Sequence, residues 1–122
     1  MSSFVFIAGP YKGVNKPHDY SAYEDIDRNI SRARYWAAEL ARRGIYFFCP
    51  HLNSAHFEVI TPEVPDTYWY HLDLDILKSA SAILMIPGWE ESQGAQRERT
   101  LAEKLGIPVF TVDQLDALAE AW

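Results

Sequence analysis

Two acidic residues stand where helical periodicity places apolar side chains. Glu98 shares the inward face of segment 92–105 with four apolar residues: Ala95, Leu101, Ala102 and Leu105. Asp73 lies in the middle of a second inward face, formed by Trp69, Leu72, Ile76 and Ala80. An inward carboxylate is costly unless something uses it, so both are candidate catalytic groups. Two carboxylates suit displacement at a sugar anomeric carbon, where one attacks and the other manages a proton.

Their helical neighbours behave differently. Arg97, Arg99 and Asp75 point away from these faces, as charges in contact with solvent do. A purely structural alternative stays open for Glu98, which could be a partly buried acid paired with an Arg of another element.

The segment Ser92-x-Gly94-Ala95 begins a helix and offers free backbone N–H groups and a hydroxyl to an anion. Alternatively, Ser92 only caps the helix, and the two readings are compatible. Lys12 either adds a positive charge to this site or is merely solvated. No Walker motif and no G-x-G-x-x-G is present, so a nucleoside triphosphate or dinucleotide has no specific support.

Other chemistries have weaker signals. The spacing of Cys49, His51, His56 and His71 matches no compact ligand pattern, so no metal is expected. A G-x-S-x-G nucleophile elbow is absent. Segment 68–70 favours core and subunit contacts, whereas Trp89 could stack on a base.

These residues need elements to position them. Apolar runs predict strands at Val5–Ala8, 45–48, 82–86 and 108–112. Helical patterns predict four helices. The first begins at a capping box formed by Ser21 and Glu24 and ends at Gly44. The second begins at a cap, Asp66, and ends at about Ala80, the third covers 92–105, and the last begins at Asp113. Residues 51–65 are predicted as a long functional loop.

The alternation of strands and helices predicts an α/β fold. We expect a small Rossmann-like or flavodoxin-like three-layer sandwich, with about four to five parallel strands in the order 2-1-3-4. Ligands of such sheets bind at the carboxyl ends of the strands near the switch point. Gly9–Gly13, the segment after Cys49 and Pro87–Gly94 meet there.

Size and composition limit the function classes. The 122 residues, 48% of them hydrophobic, suit one domain, 1–122, with a real core. The formal charge is −6, so the composition does not indicate the basic surface with which proteins bind polymeric nucleic acid. The lone Cys49 excludes an internal disulfide and fits the cytoplasm. No apolar run approaches the roughly 18 residues of a membrane span, so no membrane partner is expected.

In order and spacing, three segments resemble the nucleoside 2-deoxyribosyltransferase-like superfamily: Phe6-Ile7-Ala8-Gly9-Pro10-Tyr11, Asp73 before the third strand, and Gly88-Trp89 with Ser92-x-Gly94-Ala95-x-x-Glu98. That superfamily includes base transferases and nucleoside 5′-monophosphate N-hydrolases. The resemblance extends from residue 4 to about residue 112.

The resemblance implies roles for individual residues. Glu98 matches the nucleophile that attacks C1′, and Asp73 matches the acid that positions it or shuttles a proton to the base. Ser92 and Gly94 match positions that hold the 5′-phosphate. The other candidate substrate contacts are Phe6, Gly9, Tyr11 and Trp89, with Lys12 added for its charge in the loop. No metal or organic cofactor is implied, and a homodimer or larger homo-oligomer is.

Two residues depart from the family pattern. Deoxy-specific members carry Tyr at the position of Phe6, so we expect ribonucleotides to be tolerated. Pro10 stands where the phosphate hydrolases have Ser. The sequence thus predicts an N-glycosidase acting on a (deoxy)ribonucleoside 5′-monophosphate. Base exchange by the same covalent route, or a non-catalytic nucleotide sensor, are the alternatives.

Overall fold

The computed structural model describes residues 3–12 and 20–122. Its helices and strands, in chain order, are β1 (Val5–Ala8), α1 (Tyr20–Arg42), β2 (Phe47–Phe48), α2 (Pro50–Asn53), α3 (Phe57–Ile60), α4 (Asp66–Leu77), β3 (Ala82–Met85), α5 (Gln93–Lys104), β4 (Val109–Thr111) and α6 (Leu115–Ala121). Single 3₁₀ turns occupy Trp89–Glu91 and Val112–Gln114.

The four strands form one parallel sheet in the order β2-β1-β3-β4. β1 and β3 are its central pair, with Val5 opposite Ala82 and Ala8 opposite Met85. Both strands are buried along their whole length, as expected of parallel strands covered on both faces. The predicted α/β fold and strand order are confirmed.

Alternate residues of the central strands enter two separate cores. Val5 and Ile7 face a core shared with α1 and α6, whereas Phe6 and Ala8 face a core shared with α4 and α5. This alternation follows from the two-residue repeat of a strand. Helices therefore cover both faces of the sheet, which confirms the three layers.

Two of the predicted local signals hold. Gly44 adopts a φ of 72° just after α1, a left-handed conformation that suits glycine and ends the helix. Ser92 is the N-cap of α5, and its hydroxyl accepts a hydrogen bond from the Ala95 N–H at 3.1 Å.

Two predicted caps are wrong or untested. Pro65 occupies the N-cap position of α4, and Asp66 is its first helical residue, where a negative charge still favours the helix dipole. Ser21 lies inside α1, which already includes Tyr20, and its side chain is outside the described residues. The Gly13 end of the first loop is also outside them.

Several predicted boundaries differ from the structure. Segment 51–65 is not a continuous loop, because it contains most of α2 and all of α3, each about one helical turn long. Pro50 is the first residue of α2, where the fixed φ of proline suits a helix. β2 contains only Phe47–Phe48, and α6 begins at Leu115 after a 3₁₀ turn. Leu105 follows the end of α5 and is 48% exposed, so it does not join the inward face.

The longest helix is α1, with 23 residues. Among the described residues, neither α1 nor any other helix combines the length and apolar character needed to cross a bilayer.

Candidate active site

A cavity of about 840 Å³ opens at the carboxyl ends of β1 and β3. Its walls come from the loop after β1, one face of α1, the α2–α3 segment, α4 and the beginning of α5. This is the sheet edge at which the three loop segments were expected to meet.

Glu98 of α5 and Asp73 of α4 both line this cavity, and both are partly buried. α4 packs against α5, which places the two carboxyl groups within electrostatic reach of each other. In residues 3–12 and 20–122, neither carboxylate has a hydrogen-bond or ion-pair partner. The ion-paired alternative for Glu98 is therefore not what this part of the chain shows.

Burial shifts the pKa values of both acids upward. Desolvation raises the pKa of Asp73 to about 6. The pKa of Glu98 is raised well above its usual range, mainly by desolvation and to a smaller extent by repulsion from the Asp73 carboxylate. Two acids coupled in this way lose their protons in two separate steps. Both shifts favour the protonated forms, so this pair holds protons at higher pH than exposed carboxyl groups do.

The N-terminus of α5 forms another part of the wall, through Ser92, Gln93 and Gly94. The first N–H groups of a helix have no intrahelical acceptor, and the helix dipole adds partial positive charge. A Cβ on Gly94 would meet only Ser92 Oγ, at 4.0 Å, so the approach to this helix end is open. The predicted anion site therefore lies in the same cavity as the two acids.

Four cations of the described residues line the cavity, and the sequence indicated only Lys12 among them. Lys12 lies 3.5 Å from Asp66. Arg97 places its guanidinium 5.3 Å from the centre of the Tyr70 ring. The other two, Arg28 and Arg32, are one helical turn apart on α1. Their spacing is visible in the sequence, but only the packing of α1 identifies the face that meets the cavity.

The loop after β1 is held at several points. Gly9 packs so closely that a Cβ there would lie 2.3 Å from Ile86 Cγ1, which explains the glycine. The Pro10 carbonyl is 2.7 Å from His51 Nε2, and the Tyr11 carbonyl accepts a hydrogen bond from Asn29 Nδ2 at 3.0 Å.

The Tyr11 hydroxyl is held as well. It donates to Glu58, with 3.0 Å to Oε2, and accepts the backbone N–H of His56 at 2.7 Å. Sequence reasoning missed Asn29 and Glu58 as contributors, and considered His51 only as a metal ligand. Their partners lie 18 to 47 positions away in the chain, so no local spacing could reveal them.

Two sequence-predicted contacts lie elsewhere. Phe6 is fully buried and packs against Phe48, with ring centres 5.9 Å apart, and it is not among the cavity-lining residues. Trp89 packs against the same core, and Arg99 covers its ring at 4.7 Å. Acceptance of ribonucleotides stays a prediction, without a cavity-lining Phe6 to support it.

Aromatic side chains nevertheless face the cavity. They are Tyr11, Phe57, Trp69 and Tyr70, with Phe57 and Trp69 in edge-to-face contact at 5.2 Å. Planar apolar groups are suited to a flat heterocyclic ligand. The 51–65 segment thus contributes Phe57, α4 contributes Trp69 and Tyr70, and the loop after β1 contributes Tyr11.

Cys49 lies beneath this site and is buried. Burial raises the pKa of its thiol to about 11, and the nearby charges of Glu98 and Asp73 add to the effect. Among the described residues, no three His, Cys, Asp or Glu side chains are grouped as metal ligands.

Two comparisons place the chain among known proteins. A stretch of 47 residues is 40% identical to 4-hydroxy-3-methylbut-2-enyl diphosphate reductase of Vesicomyosocius okutanii subsp. Calyptogena okutanii (strain HA). It covers 38% of this chain and 15% of the reductase, so the chain spans a small part of that relative. The sequence model of DUF4406, described as a domain of unknown function, matches residues 3–111. Neither match bears on the resemblance to the nucleoside 2-deoxyribosyltransferase-like superfamily, which stays a prediction. Because the DUF4406 match spans most of the chain, the protein belongs to the DUF4406 family.

Proposed function

We propose that this protein is an N-glycosidase that cleaves the base–sugar bond of a nucleoside 5′-monophosphate through a covalent intermediate on Glu98. One observation carries the proposal: two carboxyl groups without partners among the described residues line one cavity, and burial raises the pKa of both. Leaving buried acids unpaired is unfavourable for a structural role and useful for acid–base and nucleophilic chemistry.

The reaction proceeds in two displacements. Glu98 Oε attacks C1′ as the C1′–N bond breaks, and the departing base nitrogen takes a proton from Asp73. Water then attacks C1′ of the glycosyl ester, Asp73 accepts the water proton, and the Glu98 carboxylate leaves. The reactive form has Glu98 ionised and Asp73 protonated, so the substrate must react with the form of the pair in which the proton lies on Asp73.

The rest of the cavity supports a nucleotide as the substrate. The open N-terminus of α5 and the surrounding cations suit the dianionic phosphate, although the chain as a whole carries a net charge of −6. The aromatic residues Phe57 and Trp69 suit the base. Assembly into a homodimer or larger homo-oligomer stays a prediction from the resemblance.

The first test is base release, followed by chromatography. The substrates are ribo- and deoxyribonucleosides and their 5′-monophosphates, each with wild type and with Glu98→Gln. Glu98→Gln should reduce turnover by about 10³-fold or more, because an amide is a poor nucleophile. Asp73→Asn should reduce it by about 10²-fold, through loss of proton transfer.

Matched controls lie on the same helices. Glu103→Gln on α5 and Asp75→Asn on α4 remove exposed carboxylates outside the cavity and should retain wild-type turnover. Equal losses in the controls would contradict the assigned roles. Base release only when an acceptor base is present would identify the exchange reaction instead. Saturable nucleotide binding without turnover, unchanged in Glu98→Gln, would identify a sensor.

A further inference from the structure

The loop after β1 depends on two buried polar side chains. Asn29 is 8% exposed and His51 is 4% exposed, and they are the only buried polar residues in 3–12 and 24–122, where side-chain burial is described. They come from different elements, α1 and α2, yet their partners are successive loop carbonyls, Pro10 and Tyr11. The partner that the two side chains have in common is therefore this loop.

The His51 contact shows that Nε2 of its ring carries a hydrogen. A carbonyl oxygen only accepts, so Nε2 must carry the hydrogen that it donates to the Pro10 carbonyl. Nδ1 is then an acceptor in the neutral ring, and it faces the Cys49 thiol at 3.7 Å. Burial lowers the pKa of His51, which keeps this neutral form at physiological pH.

The loop presents Tyr11 to the cavity. The backbone of Tyr11 is held by Asn29, its ring contacts the His51 ring edge-on at 5.7 Å, and its hydroxyl is held by Glu58 and the His56 backbone. His56 adopts a φ of 61°, the one non-glycine left-handed conformation among the described residues. Four contacts therefore determine the position of one aromatic ring in the cavity wall.

We propose that His51 and Asn29 are positioning residues that hold the 9–12 loop through its Pro10 and Tyr11 carbonyls, so that Tyr11 forms a substrate-contacting wall of the cavity. The proposal rests on the proposed function, because it assigns the wall to nucleotide binding. Both donors are used by the loop, so they act on the substrate through Tyr11.

A kinetic consequence distinguishes this role from a general structural one. Glu98 and Asp73 belong to α5 and α4, and neither contacts the loop residues through a hydrogen bond in the described part of the chain. Releasing the loop should therefore weaken substrate binding and leave the displacement chemistry largely intact. KM should rise while kcat changes little.

The variants follow from the geometry of the donor. His51→Leu removes it, and we expect KM for the nucleotide to rise about tenfold with kcat within about threefold. The side-chain amide of His51→Gln can present N–H where Nε2 stood, so KM should remain within about threefold of wild type. His71→Leu, an exposed histidine of α4 outside the cavity, is the matched control and should leave KM unchanged.

Two results would overturn the proposal. One is an unchanged KM in folded His51→Leu, and the other is a fall in kcat with KM unchanged. Nitrogen-15 NMR of the wild-type imidazoles provides a readout that needs no variant and no substrate. We expect the neutral Nε2–H tautomer for His51 at pH 7.5, and a neutral Nδ1–H tautomer would overturn the loop contact.

These outcomes separate the two proposals. Wild type without base release, but with the Nε2–H tautomer and with nucleotide binding that His51→Leu weakens about tenfold, contradicts the glycosidase and retains the positioning role. Base release together with a neutral Nδ1–H tautomer of His51 supports the glycosidase and contradicts the positioning role. Wild type that neither cleaves nor binds any nucleotide of the panel overturns both.

Discussion

The two sides of the cavity treat buried polar groups in opposite ways. On the side of the first loop, Asn29 and His51 are nearly inaccessible, and each has a hydrogen-bond partner at 3.0 Å or closer. On the side of α4 and α5, Asp73 and Glu98 have no such partner in the described residues, and their pKa values are raised.

The difference separates structural groups from reactive ones. A satisfied polar group stabilises one conformation, since breaking its bond leaves a buried partner unpaired. An unsatisfied acid destabilises the folded state, and its raised pKa makes a proton available near neutral pH. We therefore expect mutation of Asn29 or His51, on the side of the loop, to lower the stability of the protein. Mutation of Asp73 or Glu98, on the side of α4 and α5, should raise stability and reduce turnover.

The largest stability effect should come from the loop side. Asn29→Asp replaces the donor to the Tyr11 carbonyl by a carboxylate oxygen, which faces another acceptor in a buried place. We expect the free energy of unfolding at pH 7.5 to fall by about 2–3 kcal/mol. Urea denaturation beside Asn53→Asp, an exposed asparagine of α2, measures this. Equal stability of the two variants would remove the contrast.

The pH dependence of turnover tests the helix side. One acid must be ionised and the other protonated, so kcat/KM should follow a bell-shaped profile. Activity should fall about tenfold per pH unit well below the lower pKa, near 6, where both groups are protonated. It should fall again at high pH, where both are ionised. A profile without an acid limb between pH 4 and 7 would show that turnover does not require ionisation of this pair.

A smaller effect of opposite sign is expected for Asp73→Asn. The pKa of Asp73 is about 6 in the folded protein and about 4 when unfolded, so wild-type stability declines as the pH rises from about 4 through 6. The Asp73→Asn variant has no carboxyl group to ionise at this position, so its stability does not decline for this reason. Allowing for partial exposure, it should be more stable by about 1–2 kcal/mol at pH 8 and no more stable at pH 3.5. Thermal unfolding at both pH values, beside Asp75→Asn, measures the difference; a destabilised variant at pH 8 would contradict it.

Local pattern was a good guide wherever a residue's role depends on its own helix or strand. Helical spacing alone assigns a residue to a face of its helix, so the sequence is enough to place Asp73 and Glu98 on the inward faces of α4 and α5. Ser92 was identified as a cap from its type and place. The strand order followed from the handedness of parallel crossovers.

The same reasoning failed where a neighbouring element decides the outcome. Trp89 lies four residues after β3 and its type and place predict stacking on a base, yet Arg99 covers its ring. Segment 51–65 lacks a long apolar period, so its two short helices were not predicted; a single turn is stabilised by its neighbours rather than by its own pattern.

The amino-acid sequence by itself determined the layered α/β sheet and the two inward acids, since both depend on repeats of 2 and 3.6 residues along the chain. Tertiary structure alone decided which cations and aromatic residues line the cavity, and that Asn29 and His51 hold the first loop. Those contacts join residues 18 or more positions apart, and their distances depend on how α1 and α2 pack against the sheet.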